Sequence, residues 1–179
     1  MHDAFVEAMV DAAKAMTVGD GLADGTQIGP MVSLTQKAHV KRQVAEALAD
    51  GAQVAWSEGT DAGQFLGPIV LTECTHDMNI ARDETFGPVA CVYRVQDDAE
   101  AVRLANDTPY GLGAVVYGGT ERARAVARQM TAGMVGVNQG LGSLGSTPWV
   151  GARQSGYGFH SSVEGHRQFA QVRVVSETF

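Results

Sequence analysis

The sequence is short of basic residues. Its 13 Lys and Arg stand against 20 Asp and Glu, a formal charge of −7 at pH 7. That balance excludes a general nucleic-acid binder and argues against attraction to an anionic membrane surface. Long apolar runs are missing as well, since no stretch approaches the roughly 20 residues that a membrane-spanning helix needs. The start, Met1-His2-Asp3, lacks the basic residue and apolar stretch of a secretory leader, so a cytoplasmic setting is expected. Cysteine is scarce. Cys74 and Cys91 allow one disulfide, but their apolar neighbours and the intracellular composition favour free thiols. No C-x-x-C pair occurs, and neither cysteine spacing supports a metal site. Charged residues make up only 18% against 45% hydrophobic, which excludes disorder and leaves a soluble globular chain.

What is present is a chain of 179 residues, the size of one domain with a real core. A nicotinamide dehydrogenase normally joins a cofactor domain to a substrate domain, and this length does not easily hold both. Glycine is abundant, with 22 residues, many of them between Gly111 and Gly165. Such glycines mark tight turns or backbone brought close to something else.

Apolar residues at three- and four-residue spacings predict a helix over Asp3–Met16. Ser33 reads as the N-cap of a second helix, Leu34–Asp50, stopped by Gly51. Strands are expected at Ala52–Trp56, Pro68–Thr72 and Ala90–Val95. Asp97 or Asp98 caps a helix reaching about Asn106. A strand at Gly113–Tyr117, a helix capped by Thr120 and reaching about Thr131, and a strand at Gly133–Val137 follow. The β-α-β-α-β alternation from Ala90 to Val137 predicts parallel neighbours, and its strands are apolar on both faces. The fold class is therefore α/β, an open, mostly parallel sheet flanked by helices, in a single domain over 1–179. Gln139–Gly158 reads as a long functional loop. Ser162–Phe169 reads as a short helix and Val172–Val175 as a terminal strand. That strand sits at a sheet edge unless another chain pairs with it.

Several residues carry candidate chemistry. Gly140-Leu141-Gly142-Ser143-Leu144-Gly145 fits G-x-G-x-x-G after a strand, but Ser146-Thr147-Pro148-Trp149 continues the loop where a helix has to open. A binding loop is the better reading than a phosphate cradle. Glu84, before Phe86-Gly87-Pro88, is placed either to bind ligand hydroxyls or to be a solvated loop acid. Asn138 follows a strand, where open α/β sheets bind ligands and where turn asparagines are also common. Cys74 has His76 two residues away, and Cys91 lies in an apolar strand that makes it core filling. His160 and His166 read as surface histidines.

Taken together, several segments resemble one family. Glu84-Thr85-Phe86-Gly87-Pro88 resembles the E-x-F-G-P motif of NAD(P)-dependent aldehyde dehydrogenases. Ala105-Asn106-Asp107-Thr108-Pro109-Tyr110-Gly111-Leu112 resembles their A-N-x-x-x-Y-G-L segment, and Ala132–Asn138 their A-G-x-v-x-v-N strand. Pro148–Gly158 resembles P-[FW]-G-G-x-K-x-S-G-x-G. Gly19-Asp20 and Ile28-Gly29-Pro30 fit earlier signatures, and order and spacing agree over essentially the whole chain.

The resemblance implies the C-terminal part of the catalytic domain. The family's nucleophilic cysteine sits in a G-Q-x-C segment shortly before the first helix seen here. That segment, the general-base glutamate and the N-terminal dinucleotide-binding domain do not occur in these residues, so no catalytic residue is assigned. In the family a thiolate attacks the aldehyde, hydride passes to NAD(P)⁺, and water releases the acid through a thioester. Glu84 then matches the carboxylate that grips the nicotinamide ribose, and Phe86 the aromatic beside the nicotinamide. Asn138, Gln139, Leu141, Ser143 and Trp149 match the substrate loop, with Trp149 its aromatic wall. The cofactor expected is NAD or NADP, held weakly by this chain alone, and the substrate is a small aldehyde. The segment at about 170–176 matches the strand used for subunit pairing, implying a homo-oligomer. No nucleic acid, membrane or metal partner is implied. Val150 replaces a usual glycine, Arg153 a usual lysine, and Phe159-His160 a common Arg-Glu. The expected function is that of an aldehyde dehydrogenase fragment, inactive alone. The alternatives are a non-catalytic interaction module and one half of a split enzyme.

Overall fold

A computed structural model describes residues 1–142 and 146–178. The chain divides into two compact units, Met1–Val95 and Gln96–Phe179.

In the first unit, helices α1 (His2–Lys14) and α2 (Leu34–Ala49) form where the apolar spacing predicts them. Ser33 caps α2, its Oγ accepting from the Gln36 N–H at 3.0 Å. Strands β1 (Gln53–Ser57), β2 (Ile69–Thr72) and β3 (Val89–Cys91) form one sheet in the order β1-β2-β3. β1 runs antiparallel to β2, with an irregularity between Val54 and Trp56, and β2 runs parallel to β3. Side chains alternate across this sheet as the pleat requires. Val70 and Val92 pack with Val6, Met9, Val10 and Ala13 of α1. Leu71, Val89 and Cys91 pack in a second cluster with Val44 and Ala47 of α2. Leu71, Val70 and Val40 are the largest fully buried side chains, so β2 is apolar on both faces because both are covered.

Two expectations shift here. The strand read as Ala90–Val95 ends at Cys91, because its partner β2 stops at Thr72. A single-turn helix, α3 (Asn79–Arg82), precedes the Glu84 segment and is too short to leave a periodic signal.

In the second unit, Asp97 caps α4 (Asp98–Asn106), its carboxylate accepting from the Glu100 N–H at 2.8 Å. β4 (Gly113–Val116), α5 (Thr120–Ala127) and β5 (Met134–Val137) follow, and β4 and β5 pair in parallel as a sheet of their own. The N-cap of α5 is Gly119, not Thr120, and no side chain caps it. The helix stops short of Thr131 because Asn106 holds the chain there. Its Oδ1 accepts from the Thr131 N–H at 2.9 Å and its Nδ2 donates to the Gln129 carbonyl at 2.8 Å. The loop expected over Gln139–Gly158 contains β6 (Trp149–Val150), paired antiparallel with β7 (Phe159–His160). α6 (Ser162–Arg167) is shorter than its sequence range. Residues 171–178, read as containing a strand, have no regular secondary structure; a strand needs a partner for its backbone, and none is paired there within the described residues. The architecture is α/β, with helices and small sheets that are parallel at β2–β3 and β4–β5 and antiparallel at β1–β2 and β6–β7. Among the described residues no helix is long and apolar enough to cross a membrane.

Candidate functional site

Glu84 and Phe86 lie on the segment between α3 and β3, and both ends are fixed. The Asp83 N–H donates to the Asn79 carbonyl at 2.8 Å, and the Ile69 N–H to the Pro88 carbonyl at 2.9 Å. α2 holds the middle. Gln36 Nε2 donates to the Thr85 carbonyl at 2.8 Å and the Phe86 carbonyl at 3.3 Å. Gly87 lies against the same helix, where a Cβ would stand 2.6 Å from a Val40 methyl that has no room to move. That contact is the physical reason for glycine between Phe86 and Pro88. Phe86 itself takes a left-handed backbone, φ 44°, and its ring is 74% exposed.

The outcome is a cleft of about 470 Å³ lined by Pro30, Met31, Val32, Gln36, Glu84 and Phe86. The Glu84 carboxylate is exposed and has no hydrogen bond or ion pair within the described residues. An unpaired carboxylate, which accepts hydrogen bonds, beside an exposed aromatic ring and apolar walls suits a sugar diol attached to a flat ring. The residues present therefore fit the ribose and nicotinamide end of a dinucleotide. Gln36 is the member that motif reading missed, although its place three residues after a capping serine puts it on the first turn of α2.

The second unit has its own cleft, about 330 Å³, whose lining includes Leu112, Trp149, Tyr157, Phe159, His160 and Gln168. Trp149 and His160 are opposite each other in the β6–β7 pair, and their rings stack with centroids 6.3 Å apart. Arg153 anchors the segment between them. Its guanidinium donates to the Asn106 and Thr108 carbonyls at 2.7 and 2.6 Å and to Thr131 Oγ1 at 2.6 Å. The Gly111 N–H donates to Ser155 Oγ at 3.0 Å. Gly133 passes directly under β6, where a Cβ would lie 2.4 Å from the Val150 carbonyl oxygen.

Of the described loop residues singled out in the sequence, only Trp149 lines this cleft. Asn138 uses its whole amide on Gly118, accepting from its N–H at 2.8 Å and donating to its carbonyl at 2.9 Å, which extends the β4–β5 ladder beyond Val137. Gln139 is exposed, and Leu141 folds back over Gly113. Ser143 lies outside the described residues. His160, Tyr157 and Gln168 join the cleft without having been assigned to it; the departure at Phe159-His160 was the available signal.

Cys74 and Cys91 are free thiols, as expected. The Cys74 S–H donates to the Thr72 carbonyl at 3.8 Å, and the influence of Cys91 together with burial raises the Cys74 thiol well above its ordinary value. Cys74 in turn lowers the Cys91 thiol, against the opposing effect of burial, and Tyr93 adds to the lowering.

The family model described as the aldehyde dehydrogenase family matches residues 1–175. A glutarate-semialdehyde dehydrogenase of Pseudomonas aeruginosa is 34% identical over 97% of this chain and 36% of its own length. A succinate-semialdehyde dehydrogenase (NADP⁺) of Deinococcus radiodurans is 36% identical over 98% of this chain and 37% of its own. The structure of a betaine aldehyde dehydrogenase of Staphylococcus aureus in complex with NAD⁺ superposes with a TM-score of 0.85 at 32% identity, over 93% of this chain and 35% of that one. The chain thus spans little more than a third of the length of the relatives it matches. On the motifs, the fold and these matches, the chain belongs to the aldehyde dehydrogenase family.

Proposed function

We propose that this chain is the stretch of an NAD(P)-dependent aldehyde dehydrogenase that follows the nucleophilic cysteine, and that it supplies cofactor and substrate contacts rather than the nucleophile. The supporting observation is the cleft that joins Glu84, Phe86 and Gln36. Glu84 accepts hydrogen bonds from the ribose hydroxyls, and Phe86 offers its face to the nicotinamide. Gln36 keeps both on one rigid segment by holding the backbone between them. NAD⁺ or NADP⁺, when bound, accepts the hydride of the aldehyde. Trp149 forms the aromatic wall of the aldehyde passage, and Asn138, Gln139, Leu141 and Ser143 belong to the loop that shapes it. Oxidation of a small aldehyde to its acid is the reaction of the whole enzyme, and the 179 residues alone are inactive.

The test is an assay of the purified chain with NAD⁺ or NADP⁺ and a panel of aldehydes, read as formation of reduced nicotinamide. None is expected. Joined to the upstream part of a relative such as the Deinococcus radiodurans enzyme, the chain is expected to support oxidation, and Glu84→Gln to lower it at least about tenfold. Cysteine-dependent nicotinamide reduction by the chain alone overturns the reading.

A second reading, an interaction surface at about 170–176, is favoured by Val172, Val174 and Val175, which are 85%, 86% and 79% exposed.

A further inference from the structure

We propose that the cleft of the second unit selects an uncharged aromatic ring, and that the aldehyde it serves is therefore an aryl aldehyde. The aldehyde part rests on the reading of Trp149 as a wall of the aldehyde passage, whereas the choice of a ring rests on the cleft itself. Trp149 and His160 stand opposite each other on β6 and β7, their ring planes 21° apart and their centroids 6.3 Å apart. A third ring between them needs about 7 Å, two contacts of about 3.5 Å each. A ligand ring therefore lies against the pair and not inside it. Tyr157 stands between Gly156 and Gly158, whose backbones are left-handed at φ 102° and 91°. That turn leaves Tyr157 lining the cleft with its side chain 93% exposed, so a further ring has a face free for stacking.

Charge decides against other occupants. None of the described residues lining the cleft is Asp, Glu, Lys or Arg. A carboxylate or an ammonium entering it loses water without gaining a counter-charge. Cation–π attraction does not make up the difference, because one face of Trp149 is turned to His160. Phe159-His160 also stands where the resembling motif commonly carries Arg-Glu, so two charges are missing from this wall. Two polar groups remain for a substituent on the ring. Ser155 Oγ accepts from the Gly111 N–H at 3.0 Å and keeps its own hydrogen to donate. Gln168 Nε2 donates to the Phe159 carbonyl, which leaves Oε1, beside Gly158, to accept. One donor and one acceptor suit a neutral hydroxyl or ether substituent.

The cleft volume, about 330 Å³, lies at the lower end of the roughly 300–1,000 Å³ found for small-molecule sites, which suits a single substituted ring. Ring selection is a property of these residues and needs neither nicotinamide nor an upstream part, so binding to the chain tests it apart from the proposed function.

The test titrates the nitrogen-15-labelled 179-residue chain with 4-methoxybenzyl alcohol, an uncharged and unreactive aryl probe. The Trp149 indole N–H signal, assigned by its persistence in Trp56→Phe, is expected to shift saturably with a Kd on the order of 1 mM. 4-Methoxybenzoate and benzyltrimethylammonium should bind at least about tenfold more weakly, and cyclohexylmethanol at least about threefold. Tyr157→Ala should weaken the aryl probe about threefold and Tyr157→Phe should restore it. In the joined enzyme described above, kcat/KM for 4-methoxybenzaldehyde should exceed that for succinate semialdehyde at least about tenfold. No saturable shift, equal or tighter binding of either ion or of cyclohexylmethanol, or an unchanged Kd in Tyr157→Ala each overturn ring selection. A joined enzyme that prefers succinate semialdehyde overturns the aryl substrate and leaves the passage standing. One that oxidises no aldehyde overturns the passage and with it the aryl substrate, and the titration still decides the ring.

Discussion

Asp61 receives two lysines from one face of α2. Lys37 Nζ lies 2.6 Å from its Oδ1, and Lys41 pairs with Oδ2. Lys37 is itself 6% exposed and also donates to the Gly63 carbonyl at 2.8 Å, so the buried ammonium is satisfied only while the 61–63 turn stays in place. The hydrogen bonds from Lys37 and then Lys41 hold the Asp61 carboxyl down at about 2, from an ordinary 3.8. A carboxyl whose folded value lies below its unfolded one contributes stability that is complete above about pH 4 and fades as the pH falls toward about 2. Asp61→Asn is therefore expected to be less stable than the parent at about pH 6, with the difference closing between about pH 4 and pH 2. Denaturant unfolding at a series of pH values checks this, and a difference that persists unchanged at the acid end contradicts it. Legibility at this scale follows sequence distance. Ser33 and Asp97 were readable as caps because a cap and its N–H are three residues apart. Gln36 and the Lys37–Asp61 pair were not, because their partners lie 24 to 50 residues away and only the fold brings them together.

Among the elements, the β6–β7 pair depends on a tether outside itself. Two residues per strand give two opposed pairs, too little for a hairpin to stand alone. Arg153 supplies the missing constraint by tying this segment to the end of α4, to Thr108 and to Thr131 after α5. The planar fork reaches three acceptors at once, which a lysine ammonium on a flexible stem does not reproduce. Arg153→Ala is expected to cost about 2–3 kcal/mol and Arg153→Lys roughly half of that. In a Trp56→Phe background, both should increase quenching of Trp149 fluorescence by acrylamide. An Arg153→Ala chain as stable as its parent, with unchanged quenching, argues against the tether. Length explains which elements the sequence revealed. α1, α2 and α4 carry enough turns for apolar spacing to show, whereas α3 is a single turn and β6 and β7 are too short to alternate. The motif glycines were visible as letters, but their reasons were not: Gly87 yields to Val40 and Gly133 to the Val150 carbonyl, both contacts made across the fold.

At the scale of the whole molecule, the open question is what the last residues pair with. Val172, Val174 and Val175 stand 79–86% exposed on a segment without regular secondary structure. Three exposed valines in four residues have high strand propensity, and among the described residues their backbone N–H and C=O groups are in no strand pair. Adding to a sheet edge supplies the missing backbone bonds, and in the proposed oligomer a second copy of the chain is the partner. The β-branched residues predict a strand here, but the described residues form none, because they contain no partner for its backbone. Sedimentation velocity over a range of concentrations is expected to show reversible self-association. Val174→Lys should weaken it at least about tenfold, since a charge on the pairing face has to be desolvated. Removing residues 171–179 should abolish it while leaving the unfolding midpoint within about 2 °C, because the segment joins none of the described sheets. A monomer at every concentration would remove the pairing role and leave the exposed valines to be covered by a different chain.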